Sequence, residues 1–366
     1  MSVGGMLRDY RRAIDAASDG SIRKIPSAVY SVLKARVMYD IGPRFHSLYD
    51  LSRRSEAGWS EYIIDIGLKK YLRKINNEED RSVVGDKLEF LRHCQRFDLA
   101  TIPIISTIDI KDRKDSLNGI ELENWVSLLS NAPSEIFIKL VDGTWGIDAF
   151  VAERDEAGVW YYCGEHGALS DLHDFCMQRL RGRRGWIVQP VVKNAPELLR
   201  IMSPSALGTV RAVTMLIDGV PELLVAVLRL PVGSNRADNF AHGSSGNLTA
   251  PIDLQTGGVG MARGSRSRTW PAMVDVPRHP DTGVLIPGSV LPFWAELVQL
   301  VLHAQRTLPH LSTLGWDVAI TEHGPIIVEA NSTYDMDLIQ VAHGRGFKTE
   351  LVKKRLELHP AIQGSR

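Results

Sequence analysis

Near the C-terminus the chain reads WDVAIT, then EHG, then PIIVEAN (residues 316–331), and no other stretch restricts the fold as much. A three-residue connection, Glu322-His323-Gly324, with glycine where left-handed backbone is wanted, makes it a β-hairpin. In that register Thr321 pairs with Pro325 and Asp317 with Glu329. Alternation places Asp317, Ala319, Thr321, Ile327, Glu329 and Asn331 on one face, and Trp316, Val318, Ile320, Ile326, Val328 and Ala330 on the other. Carboxylates directly across a ladder, with Cβ atoms roughly 5 Å apart, repel each other. A divalent cation between them turns the repulsion into ligation. Two carboxylates and an Asn carbonyl are hard oxygen donors of the kind Mg²⁺ prefers. The competing reading is a solvated hairpin with incidental acids. Three oxygen donors on one face of a mainly apolar hairpin favour the metal.

A Mg²⁺ ion held by few protein groups completes its shell with phosphate oxygens and water, which directs attention to cations within strands. Lys139 ends the apolar run IFIKLV, just before Asp142-Gly143-Thr144-Trp145-Gly146. A lysine there is costly to bury without an anionic partner, and the glycines let backbone N–H groups approach phosphates. A surface lysine on an edge strand is an equal reading. Arg211 in TVRAVTML and Arg229 in VAVLRLP are two further cations in β runs, on either side of a turn at Asp218-Gly219. A two-residue turn puts them on opposite faces. A three-residue turn, or a bulge near Pro221, puts them on the same face, and both arrangements stay open at this stage.

The rest of the chain supplies the frame. Residues 6–80 read as amphipathic helices broken at Pro26 and Gly42-Pro43. DKLEFLRHCQRFDLA (86–100) is another helix. EIFIKLVDGTWGIDAFVAERDEAGVWYYC reads as three strands, DLHDFCMQRLRG as a helix and GWIVQPVV as a strand. Residues 231–290, rich in Gly, Pro, Ser and Arg, read mostly as loops, including GGVGMARG at 257–264. Within them Arg263, Arg266 and Arg268 read as a solvated basic loop or as a grip on a substrate carboxylate. His242 reads as a base, a substrate contact or a plain loop residue. Antiparallel hairpins with interspersed helices make the class α+β rather than a doubly wound parallel sheet. No P-loop, zincin or nucleophile-elbow motif is present.

Composition removes several classes. Hydrophobic residues make up 44% of the 366, too many for a disordered chain. Forty-three Lys and Arg balance forty-three Asp and Glu, so there is no excess positive charge to hold a nucleic acid. Cys94, Cys163 and Cys176 are too few and scattered for a disulfide framework. The N-terminus lacks the apolar core of a signal peptide, and the longest apolar runs, such as LLVAVL at 223–228, are far too short to span a bilayer. The expectation is a cytoplasmic protein without a membrane or nucleic-acid partner.

The segments DKLEFLRHC, IFIKLVDGTWG, WIVQPVV, SPSALGTVRAVTML, LRLPVGSNRADNFAHGSSGN, PIDLQTG, HPDTGVLIPG and GWDVAITEHGPIIVEAN, in that order, resemble the sugar-transfer associated ATP-grasp group, related to the alpha-L-glutamate ligases. The resemblance implies an ATP-grasp fold, two α+β subdomains clasping ATP, with an N-terminal helical extension. It implies a helical region over 1–85, one subdomain over 86–188 carrying the phosphate-covering loop, and a second over 189–366 carrying the Mg²⁺ and catalytic residues. Lys87 and Lys139 resemble the lysines on the ATP phosphates, and Gly143, Thr144 and Gly146 belong to the loop over them. Gln189, Val191 and Val192 resemble the hinge strand that hydrogen-bonds adenine, and Glu197 a ribose contact. Arg211 and Arg229 resemble the arginines on the γ-phosphate and acyl intermediate, and Asn239 the Asn of an Arg-x-Asn segment. Asp317, Glu329 and Asn331 match the Mg²⁺ ligands, with Glu329 bridging two ions. Here the hinge carries Pro190 where an acid is common, and AHGSSGN stands where a double glycine is usual.

The activity implied is an ATP-dependent carboxylate–amine ligase, forming an amide through an acyl phosphate with release of ADP and phosphate. Its partners would be a small-molecule carboxylate and an amine, on an amino-acid, peptide or sugar-linked substrate, and a homodimer is a family-level expectation. The loops at 142–146 and 257–270 are expected to close over the site. Two rivals stand beside it: a kinase with a hydroxyl acceptor, and a non-catalytic nucleotide-binding module.

Overall fold

The structure, a computed structural model, describes residues 3–76, 78–108, 129, 132–143 and 149–348. It divides into two compact units, one of residues 1–81, 194–325 and 330–366, the other of residues 82–193 and 326–329.

The smaller unit is built on a six-stranded sheet. Its strands are β1 (Ser106–Ile108), β2 (Glu135–Leu140), β3 (Phe150–Arg154), β4 (Trp160–Tyr162), β5 (Glu165–Gly167) and β6 (Trp186–Pro190), in the order β1-β6-β2-β3-β4-β5. The pairings are antiparallel. Ile136, Ile138 and Leu140 of β2 are buried with Trp160, Trp186 and Val188 against Leu172, Phe175, Cys176 and Leu180 of a helix over Leu169–Leu180. Phe137 and Lys139 therefore point to the opposite face. There Phe137 is opposite Gln189 and Lys139 opposite Ile187, and Ile187 packs on Leu88 and Leu91. Those two belong to a helix over Lys87–Arg96. The Asp86 carboxylate caps its first turn, accepting from the N–H groups of Leu88 (2.9 Å) and Glu89 (3.2 Å). Residues 326–329 join this unit through the N–H of Ile327, which donates to Ala100 O, and Thr101 Oγ1, which donates to Ile327 O, both at 2.8 Å.

The larger unit is a seven-stranded sheet. Its strands are β7 (Val210–Ile217), β8 (Val220–Leu230), β9 (Leu248–Pro251), β10 (Ala262–Ser265), β11 (Met273–Val276), β12 (Thr313–Thr321) and β13 (Gly324–Asn331), in the order β11-β10-β9-β8-β7-β12-β13. Three of these strands lie in the stretch expected to be mostly loops. Four residues each, broken by Pro and Gly, they carry too little alternation to be read alone. They form by pairing in succession, β9 on the edge of β8, β10 on β9 and β11 on β10.

The N-terminal helices α1 (Val3–Ser18), α2 (Ile25–Tyr39), α3 (Pro43–Leu48) and α4 (Asp65–Ile75) belong to this unit. Leu48, Tyr49, Trp59, Tyr62, Leu68 and Leu72 bury Val213, Met215, Val225 and Val227 on one sheet face, together with Ile339 and Val341 of a helix over Asp337–His343. The opposite face carries Trp316 and Thr214. The indole N–H donates to Thr214 Oγ1, which donates to Gln305 Oε1 of a helix over Trp294–Arg306, both at 2.7 Å.

Candidate active site

The β7–β8 hairpin settles where its arginines point. Asp218 (φ 52) and Gly219 (φ 79) form a two-residue turn, with Ile217 opposite Val220. That turn alone would put Arg211 and Arg229 on opposite faces. Between Val213 and Thr214 the register slips: Thr214 is opposite Leu223 but Val213 is opposite Val225. Leu224 is the extra residue of a β-bulge, which reverses the facing of everything beyond it. Arg211 is then opposite Val227, and Arg229 shares its face. The bulge lies three residues past Pro221, within the apolar run.

Asp317 of β12 is directly opposite Arg211, so all three side chains meet. Arg211 Nε donates to Asp317 Oδ1, and its Nη2 to Oδ2 at 3.1 Å. Arg229 Nη2 lies 2.8 Å from Asp317 Oδ2, and Arg229 Nε lies 3.0 Å from Asp238 Oδ2. Thr209 closes the set, donating to Asp238 Oδ2 at 2.6 Å and accepting from Arg229 Nε at 2.9 Å. All five residues are buried, none more than 8% exposed. Two guanidiniums and two carboxylates balance. Burial pushes the Asp238 carboxyl above the usual range, the Arg229 charge pulls it back, and the Asp317 charge adds to the rise. Sequence reading missed Asp238 and Thr209. Their meaning depends on Arg229, which is distant in sequence, and no local pattern marks them.

The six-stranded unit gathers a second set. Lys139 lies on the β2 face described above, half-buried, with Lys87 and Glu329 as its charged neighbours. Burial and the charge of Lys87 lower Lys139 to about 8, against the opposing pull of Glu329. Lys87, the first residue of its helix, donates to the carbonyls of Leu140, the last residue of β2, and of Val141 and Gly143 just beyond it. Its ammonium is lowered by burial, against Glu329, Asp142 and Asp86. Asp142, where the loop after β2 begins, pairs with Arg183 at 3.0 Å. Gln189 Nε2 donates to Ile102 O at 2.9 Å, while its buried Oε1 has no partner among the described residues.

Other sequence-predicted residues are placed as follows. Val191 and Val192 follow β6 in irregular chain, and Glu197 is exposed in a short helix over Pro196–Leu199. Asn239 Oδ1 accepts from the N–H of Ala241 at 3.2 Å. Thr144 and Gly146 lie outside the described residues. Asn331 ends β13, half-buried, and Gly324 begins it with φ 116, the positive angle expected there. Arg263 is not a solvated loop residue. It is buried in β10, paired with Asp275 (3.0 Å) and Asp50 (3.4 Å), whereas Arg266 and Arg268 are exposed. Among the described residues, no three or more His, Cys, Asp and Glu side chains gather as a metal site. The expected donor set holds only two carboxylates, with an amide completing it, and all three donors are oxygens suited to Mg²⁺.

The molecule is thus an α+β protein of two antiparallel-sheet units, each carrying buried or half-buried cations where an anion could be gripped. Residues 68–355 match the model of the sugar-transfer associated ATP-grasp family, well over half of the chain. The chain belongs to that family and has the ATP-grasp fold. No match was found among curated proteins. Among solved structures it is similar to an L-amino acid ligase from Bacillus licheniformis, with 11% identity and a TM-score of 0.39 over 75% of this chain and 48% of that one. It is also similar to D-alanyl-alanine synthetase A from Vibrio cholerae, with 10% identity and a TM-score of 0.43 over 77% and 67%. A RimK-domain ATP-grasp protein from Sphaerobacter thermophilus gives 15% identity and a TM-score of 0.35 over 73% and 67%. The chain spans about half the length of the first of these. No helix among the described residues is long and apolar enough to cross a membrane.

Proposed function

We propose that this protein is an ATP-dependent carboxylate–amine ligase. A substrate carboxylate oxygen attacks the γ-phosphorus of ATP and the bond to ADP breaks, leaving an acyl phosphate. An amine then attacks the acyl carbon, phosphate departs and an amide remains. Lys87 and Lys139 contact phosphate oxygens, and Gly143 begins the loop that covers them. Gln189, Val191 and Val192 receive the adenine, and Glu197 the ribose. Arg211 and Arg229 stabilise the oxyanions that develop as the phosphoryl group moves, with Asn239 beside them. Their guanidinium planes are held by Asp317, Asp238 and Thr209, so little reorganisation is needed during reaction. Asp317, Glu329 and Asn331, on the adjacent strands β12 and β13, are the donors proposed for Mg²⁺. When bound, that ion neutralises charge building on the phosphates. The substrates are a small-molecule acid and an amine, amino-acid, peptide or sugar-linked.

The observation that carries this reading is the buried Arg211–Asp317–Arg229–Asp238 cluster. Buried ion pairs rarely improve stability over apolar packing, so four buried charges gathered in one cluster argue for a task. The test is a screen of acids and amines with ATP and Mg²⁺, read as ADP and phosphate release and followed by mass spectrometry. The reading expects release only when both an acid and an amine are present, and a product lighter than their sum by one water. A stable phosphorylated product formed without amine would replace the ligase with a kinase. ATP binding without turnover on any pair would favour a nucleotide-binding module.

A further inference from the structure

His242 has no task in the chemistry above, yet its setting is unusual. Ala241 (φ 47), His242 (φ 54) and Gly243 (φ 85) take positive φ in succession. Two consecutive non-glycine residues in that region are rare, because Cβ crowds the following carbonyl. Such strain persists only where the surroundings over-determine it, and it concentrates at functional sites. Here the surroundings do so. The N–H of Gly243 donates to Phe240 O at 2.8 Å, and Ser245 Oγ donates to the same carbonyl at 3.0 Å. The buried Asn247 donates through Nδ2 to Ala237 O (2.8 Å) and Asn239 O (3.0 Å).

The strain places His242 Nδ1 2.6 Å from Oδ2 of Asp337, a carboxylate only 5% exposed, while the imidazole remains 35% exposed. Phe45 of α3 stands edge-on to the ring, centroids 6.4 Å apart. Four residues before His242, Asp238 is bonded to Arg229 and Thr209, so the ring's backbone lies within roughly 15 Å of the buried cluster. With Nδ1 committed to Asp337, a proton taken up by the ring arrives at Nε2.

We infer that His242 is the base of the amide-forming step, with Asp337 as its positioning residue. The inference rests on the ligase reading. The amine nitrogen forms its bond to the acyl carbon, and the bond from that carbon to the phosphate oxygen breaks with its electron pair leaving on phosphate. The proton lost by nitrogen passes to His242 Nε2, and the Asp337 carboxylate balances the imidazolium. Phe45 gives the N-terminal helices a part in this step, as one wall beside the ring.

The test compares two acceptors for the acyl phosphate, using the acid that the screen selects. Hydroxylamine is uncharged at neutral pH and attacks without a base. The amine that the screen selects must lose a proton. The inference expects H242N to form hydroxamate within about 3-fold of wild type while amide formation falls by about 100-fold or more. D337N should fall in the same direction, by less. Added imidazole should restore part of the amide rate to His242→Ala. Equal loss of hydroxamate and amide in H242N, or no loss of either, would overturn the inference and leave the ligase reading intact. Absence of hydroxamate from wild type with every acid would overturn both.

Discussion

The side chains that matter most here are charged and out of water, and each carries a measurable consequence. Asp317 accepts from two guanidiniums at 2% exposure. Replacing it by Ala removes the carboxylate that both buried guanidiniums share. The expected loss is about 3–5 kcal/mol in urea-induced unfolding; a loss below about 1 kcal/mol would show that water reaches the cluster. Lys139 is the opposite case. It makes no hydrogen bond or ion pair among the described residues, and burial lowers it to about 8 from its ordinary 10.5. Lys139→Met should therefore raise the melting temperature by about 2–4 °C while abolishing ATP binding. Between those two values the unfolded chain holds a proton that the folded chain has released, so wild-type stability rises with pH across that window. The advantage of Lys139→Met is thus full below pH 8 and fades towards 10.5. A pH-independent gap between the two melting curves would contradict the burial of this ammonium.

At the scale of elements, the β7–β8 hairpin shows what determines facing. Deleting Leu224 removes only the extra residue: Leu223 and Val225 become neighbours opposite Thr214 and Val213, Arg211 stays opposite Val227, and Arg229 keeps its face. ATP turnover should therefore survive in that variant. Loss of turnover while the far-ultraviolet circular dichroism remains β-rich would mean that the bend of the bulge, and not the shared face alone, positions the two arginines. The same hairpin marks where sequence reading stops. Lys139, Arg211, Arg229 and Asp317 are legible because a charge within an apolar run is conspicuous. The bulge is not, because in ELLVAVL any one leucine or valine serves equally as the extra residue. Strands β9 to β11 stay hidden for a related reason: each depends on pairing with a neighbouring strand, β9 on β8, β10 on β9 and β11 on β10, and not on the pattern of its own four residues. Asp238 and Asp337 acquire meaning only from Arg229 and His242, which the chain brings to them after folding.

For the whole molecule, the N-terminal helices are more than an appendage. Trp59, Tyr62, Leu68 and Leu72 cover the sheet face of Val213, Met215, Val225 and Val227, the face that also carries Arg211 and Arg229. The fold class and the family were readable from the order of hairpins and the C-terminal segment, but this burial was not, since amphipathic helices announce an apolar face without naming what it covers. The balanced charge of the chain likewise conceals its local order, with paired cations and carboxylates buried together. The central claim is that a carboxylate oxygen attacks phosphorus and an acyl phosphate follows. It is tested most directly by supplying the productive acid with ¹⁸O in its carboxylate, together with ATP and the amine. The ligase mechanism predicts one ¹⁸O atom in each phosphate released, because the oxygen bridging carbon and phosphorus leaves with phosphorus. Turnover that yields amide with unlabelled phosphate would contradict it.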